Sequence, residues 1–154
     1  MPMALLWIRK KVHWSDTDAA GIVWFPNYFG WFEDAEEELY EAVLGRTRQS
    51  LLDELRFGMP RVEANAKYRA PVRAGQLIRI GISATTENPR RLRYDFEMRD
   101  DAAGTVLADG FVRVACVDAQ NFKPRDLPQE ILAMVRALPA AAERQRSGAE
   151  LPWT

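Results

Sequence analysis

Residues 15–28 read "SDTDAAGIVWFPNY". Two acids two apart, Asp16 and Asp18, are followed by small residues, an aromatic pair, a proline and an asparagine. The period then becomes helical. Tyr28, Trp31, Phe32, Ala35, Leu39, Ala42 and Val43 recur at three- and four-residue steps, one face of a helix predicted over 27–44. Glu33, Asp34, Glu36, Glu37, Glu38 and Glu41 fall elsewhere and read as a solvated face or a subunit contact, not as a metal site. Pro26 suits the first turn, where a missing N–H costs nothing, and Gly45 suits the stop. A short second helix is expected over 47–56.

Working outward, "WIRKKVHW" at 7–14 reads as a strand, which makes the acid-bearing stretch a loop. After Gly58 the period is two. Val62, Ala64, Ala66, Tyr68 and Ala70 alternate with polar residues, as do Ile78, Ile80 and Ile82, and then Leu92, Tyr94, Phe96 and Met98. A fourth run, 105–117, is expected to bulge near Gly110. "PVRAGQ", "ENPR" and "DDAAG" are the turns between these strands. Successive strands with short connections are antiparallel neighbours. A short helix is expected over 128–137. Residues 1–138 read as a single domain and 139–154 as a tail, partly disordered. One long amphipathic helix and a meander with one apolar face per strand give an α+β class: an antiparallel sheet curled around the helix. Its open edges predict pairing with a second subunit.

The 154 residues, 47% hydrophobic and 28% charged, suffice for a core without covalent staples. A net charge of −1 leaves no global footprint for nucleic acid or an anionic membrane. The single cysteine, Cys116, excludes an internal disulfide and a cysteine-based metal cluster, which points to a reduced, cytoplasmic setting. At the N-terminus the apolar residues precede the charges, the wrong order for a signal peptide. No run approaches the roughly 18 apolar residues of a membrane span.

The motif at 16–28, placed ahead of a helix and a meander, resembles the hotdog-fold acyl-CoA thioesterases, and more narrowly the 4-hydroxybenzoyl-CoA thioesterase group. The resemblance runs from about residue 10 to 125, with a second match at "GMPRVEANAKY", 58–68. It implies that Asp18 is the catalytic acid and that the Phe25 backbone N–H receives the thioester carbonyl. It implies a homodimer or homotetramer, with coenzyme A as part of the substrate and no separate cofactor. A relative group carries a histidine where this chain has Phe25, so the aromatic-proline-asparagine version fits the aryl-CoA branch better.

The residues are consistent with that chemistry. There is no G-x-S-x-G, and His13 is the one histidine. Cys116, in an alternating strand, reads as a buried structural thiol. A carboxylate can attack a thioester or take a proton from water, and the sequence leaves both open. A helix start supplies N–H donors for an oxyanion. Taken alone, Asp16 and Asp18 would read as a turn or capping pair; the motif assigns catalysis to Asp18 and structure to Asp16. Trp31 and Phe32 read as core. Trp24, Phe25 and Tyr28 are candidates for an aromatic acyl pocket. Arg90 and Arg91, in a strand turn, are candidates for the CoA phosphates, ahead of Arg93, Lys67 and Arg69. The alternatives are an aliphatic acyl-CoA or acyl carrier protein as substrate, or a non-hydrolytic acyl-CoA-binding module.

Overall fold

A computed structural model describes residues 5–148 and 151–154. Residues 1–4 of the N-terminal segment and 149–150 of the stretch read as a tail lie outside the described residues. The chain runs β1 (Leu6–Lys11), α1 (Asn27–Leu44), α2 (Arg48–Leu55), β2 (Phe57–Gly58), β3 (Arg61–Tyr68), β4 (Leu77–Asn88), β5 (Arg91–Asp100), β6 (Val106–Ala115), β7 (Val117–Asp118) and α3 (Gln129–Arg146). The main sheet is antiparallel in the order β1-β4-β5-β6-β3; β2 and β7 form a separate short pair.

Helix α1 lies on the apolar face of this sheet. Phe32 stacks on Phe96 with ring centroids 4.5 Å apart. Ile78, Ile80, Ile82, Leu92 and Met98 close the core from the sheet side. Gly45, at φ 68°, ends α1 in the left-handed conformation, and its N–H reaches the Glu41 carbonyl at 3.0 Å. Thr47 caps α2 by accepting the Ser50 N–H at 3.1 Å.

Several expectations need correction. The first strand ends at Lys11, and Trp14 stands exposed in a 3₁₀ turn. The β6 ladder passes through Gly110 without a bulge; its irregularities lie at Arg61/Glu63 and Met98/Arg99. Glycine is needed at 110 for another reason: a Cβ would sit 2.1 Å from the Asn65 carbonyl oxygen. Strand β6 ends at Ala115, and residues 117–118 turn away to pair with β2. The helix expected over 128–137 runs through Pro139 to Arg146, so 139–146 is helix and not tail. Leu138, Ala141 and Ala142 are buried, and this packing offsets the backbone bond that proline forfeits.

The acidic face of α1 is also revised. Ala42 is exposed, whereas Tyr40 and Glu36 are buried. Glu36 accepts from Arg48 at 2.6 Å and from Arg61 at 3.0 Å, so its charge is paired rather than solvated. Beside it the Tyr40 and Tyr94 hydroxyls share a hydrogen bond of 2.7 Å.

The two sheet edges differ. On β1, the Gln145 side chain accepts the Trp7 N–H at 2.7 Å and donates to the Trp7 carbonyl at 2.8 Å. The Arg9 N–H donates to the Pro152 carbonyl, and the Thr154 N–H to that of Arg9. This edge is therefore covered by the chain itself. On β3 no described strand pairs with the outer side, and Val62 and Tyr68 are exposed.

Glu36→Ala should lower unfolding free energy by roughly 3 kcal/mol, because two arginines lose a buried partner. A solvated glutamate would give a change within about 0.5 kcal/mol. Denaturant titration of both proteins separates the two.

Candidate active site

The motif folds as a tight hairpin set against the start of α1. Thr17 bridges Val23, and the Asp18 N–H donates to the Ile22 carbonyl at 2.9 Å. Gly21, at φ 78°, takes the left-handed conformation that the reversal needs. Asp16 organises the base of the hairpin. Its carboxylate accepts the His13 N–H at 2.8 Å, while its carbonyl accepts the Trp24 N–H and the Asn27 side-chain amide, both at 2.9 Å.

A cleft of about 370 Å³ opens beside the helix start, lined by Ile22, Val23, Phe25, Tyr28, Tyr68 and Ala70 among others. Tyr28 is buried at its floor, with its ring edge-on to Tyr68 at 4.7 Å. Phe25 and Trp24 stand at the rim, 62% and 52% exposed, with rings edge-to-face at 6.3 Å. Among the described residues the Phe25 N–H has no acceptor. It lies just before the first turn of α1, where unsatisfied donors and the helix dipole favour a developing negative charge.

Asp18 sits in the hairpin turn, exposed, and its carboxylate accepts the Ala20 N–H at 2.8 Å. It does not line the cleft; its hairpin partner Ile22 does. Phe25 and Tyr28 are brought together in the cleft and Trp24 beside it. Arg90 and Arg91 are not. The motif follows the β1 end that pairs with Leu77, whereas the arginines occupy the turn after Asn88. At ~3.3 Å per residue, β4 separates these two ends by roughly 35 Å. Arg90 pairs with Asp126 at 3.1 Å; Arg91 is exposed, with no ion pair among the described residues.

Of the weaker candidates, Arg69 lines the cleft and pairs with Asp109 at 3.0 Å. Arg93 is held by Asp95 and lies over the Phe111 ring. Cys116 is buried, and burial pushes its thiol upward, away from the reactive thiolate. No group of three or more His, Cys, Asp or Glu among the described residues is arranged to hold a metal. A larger hollow of about 1190 Å³ covers the outer sheet face. Its acids Asp95, Glu97 and Asp109 are all paired with arginines, and it contains no helix N-terminus, so it lacks the parts that hydrolysis needs.

Tyr68 is the polar cleft residue that the sequence alone did not single out. It ends β3, and its hydroxyl donates to the Phe25 carbonyl at 2.9 Å across 43 residues of chain. The signal present was its place in the second matching stretch, 58–68.

All four tyrosines are held above the ordinary phenol range, chiefly by burial, and Tyr28 is pushed up to about 12. The neutral phenol is thus the folded form. Its contribution to stability is complete below the unfolded value of ~10 and is lost as pH rises through the folded value. An alkaline absorbance titration should show the native tyrosines ionising at higher pH than the four ordinary phenols per chain of the denatured protein, with the buried Tyr28, Tyr40 and Tyr94 resisting most.

Residues 12–135 match the thioesterase-like superfamily. A 1,4-dihydroxy-2-naphthoyl-CoA hydrolase of Nostoc punctiforme is 28% identical over 142 residues, covering 90% of this chain and 94% of the relative. The acyl-CoA thioester hydrolase YbgC of Escherichia coli is 28% identical over 123 residues, covering 80% and 90%. In fold, a 1,4-dihydroxy-2-naphthoyl-CoA thioesterase from Synechocystis superposes with a TM-score of 0.81 at 22% identity, over 87% of this chain and 97% of that one. The hairpin, the helix start and the sheet around them belong to a hotdog-fold thioester hydrolase, and the chain is a member of the thioesterase-like superfamily.

Proposed function

We propose that the chain hydrolyses an aromatic acyl-CoA to the free acid and coenzyme A, with Asp18 as nucleophile or general base and the Phe25 N–H as oxyanion donor. The observation that carries this reading is the unpartnered Phe25 N–H at the mouth of an aromatic cleft, one hairpin away from an exposed carboxylate. The acyl ring packs against Tyr28 and Phe25, whose edges and faces suit another aromatic ring. The Nostoc relative's aromatic substrate supports this choice; YbgC carries the more general acyl-CoA name. Asp18 either attacks the carbonyl carbon, giving a mixed anhydride that water then opens, or takes a proton from the attacking water. In both routes negative charge gathers on the carbonyl oxygen facing Phe25, and the thiolate leaves without strong acid assistance.

The functional unit is a homodimer joined along β3. An isologous antiparallel pairing of this edge sets the Arg61 end of one copy beside the Tyr68 end of the other. Arg91 lies at the Arg61 end: it pairs with Ala115 on β6, and Arg61 pairs with Val114. The arginine turn of one copy thereby approaches the cleft of the other, where Arg90 and Arg91 meet the CoA phosphates in trans. The covered β1 edge favours β3 as the joining edge.

Thiol release from benzoyl-, 4-hydroxybenzoyl-, phenylacetyl-, acetyl- and hexanoyl-CoA tests the reading. Wild type should prefer the aryl thioesters, and Asp18→Asn should lose roughly 100-fold or more in kcat while staying folded. Turnover in folded Asp18→Asn at the wild-type rate would remove Asp18 from the chemistry; preference for hexanoyl-CoA would overturn the aryl assignment. Mixing Asp18→Asn chains with Arg90→Ala/Arg91→Ala chains should restore activity in heterodimers, and no rescue would exclude a shared site.

A further inference from the structure

We propose that Tyr68 is a positioning residue, whose hydroxyl clamps the Phe25 carbonyl and so holds the Phe25 N–H toward the cleft; this rests on the oxyanion role given to Phe25 above. Trp24 and Phe25 are the most exposed large residues of the cleft rim, so burial does little to fix their backbone. The first residue of α1 holds the near side, its N–H donating to the Trp24 carbonyl at 3.0 Å, but the helix leaves the Phe25 carbonyl free. The Phe29 N–H bonds to the Pro26 carbonyl at 3.3 Å and not to that of Phe25, and Pro26 has no N–H to offer. Among the described residues the Phe25 carbonyl accepts from the Tyr68 hydroxyl alone.

The segment is thus pinned on both sides of the Phe25 peptide, with the Asn27 N–H on the Trp24 carbonyl as a third tie. Upstream, Asp16 accepts the Trp24 N–H; downstream, Tyr68 donates to the Phe25 carbonyl. Between these two bonds lies the one N–H left for substrate. The tyrosine is itself well seated. Its ring meets Tyr28 at 4.7 Å and Phe25 at 6.3 Å, both edge-to-face, and its backbone is the last position of β3 paired to β6, opposite Ala108. Burial raises its phenol, so the donor proton persists through the working range. A displaced oxyanion donor costs rate more than binding, because its bond strengthens as charge develops.

The experiment compares Tyr68→Phe with wild type and with Asp18→Asn, using benzoyl-CoA. Tyr68→Phe should fall roughly 10- to 100-fold in kcat with KM changed by less than about threefold. Isotope-edited infrared spectra of bound benzoyl-CoA give the second readout. In Asp18→Asn the thioester carbonyl should shift to lower frequency than in free solution, and Asp18→Asn/Tyr68→Phe should lose most of that shift. Should Tyr68→Phe fail to fold, difluorotyrosine at position 68 keeps the shape and ionises near neutral pH. A tyrosinate cannot donate, so kcat should then fall across that ionisation, a limb absent from wild type. Wild-type kcat in Tyr68→Phe with an unchanged carbonyl shift in Asp18→Asn/Tyr68→Phe, or no new pH limb, would overturn the clamp while leaving Asp18 and Phe25 in place. Full turnover by Asp18→Asn would instead refute the underlying assignment of the acid.

Discussion

One carbonyl, that of Asp16, joins the two parts on which the candidate site depends. It accepts the Trp24 N–H and the Asn27 side-chain amide, each at 2.9 Å. The first bond closes the hairpin that carries Asp18; the second ties that hairpin to the first residue of α1. Without them the acid and the helix start would be separate surface features. The carboxylate of the same residue holds the His13 N–H, so it also sets the chain's entry into the 3₁₀ turn. Asp16 is therefore a framework residue, and its neighbour two positions on is left facing solvent. The division follows from position in the hairpin, since the two residues have the same side chain.

The proposed site draws on both ends of the sheet. The end near Tyr68 holds the cleft, the aromatic cluster and the helix N-terminus. The end near Arg61 holds the exposed arginines and the paired Glu36 cluster. A single chain keeps these groups a strand's length apart. An edge-to-edge dimer with two-fold symmetry brings unlike ends together, and β3 is the edge whose apolar residues remain uncovered. The terminal segment on β1 works the other way, since it occupies the backbone groups that would otherwise recruit another strand.

Periodicity made the architecture legible. Trp31, Phe32, Ala35 and Leu39 marked the buried stripe of α1, and the alternation in β4 and β5 named their core residues one by one. Glu36 lies on that same stripe, four residues after Phe32 and four before Tyr40. Its residue type suggested solvent, and nothing local revealed that Arg48 and Arg61 would converge on it. Pro139 read as a helix stop because local propensity disfavours it; packing of Leu138, Ala141 and Ala142 prevailed. The motif put Phe25 and Tyr28 at the start of α1, while Asp18 sits in the hairpin turn ahead of it. The bond from Tyr68 to Phe25 spans 43 residues, and no pattern within either segment encodes such a contact. The separation of Arg90 and Arg91 from the cleft likewise follows from strand register, which a single sequence does not express.

In the proposed mechanism the thioester carbonyl is held by the Phe25 N–H with the side chain at position 18 beside it. A crystal structure of Asp18→Asn with benzoyl-CoA bound addresses it most directly. The carbonyl oxygen should lie within hydrogen-bond distance of the Phe25 N–H, the phenyl ring against Tyr28, and the phosphates against the arginine turn of a second copy. A benzoyl group seated in the hollow on the outer sheet face, or a carbonyl turned away from the start of α1, would contradict it.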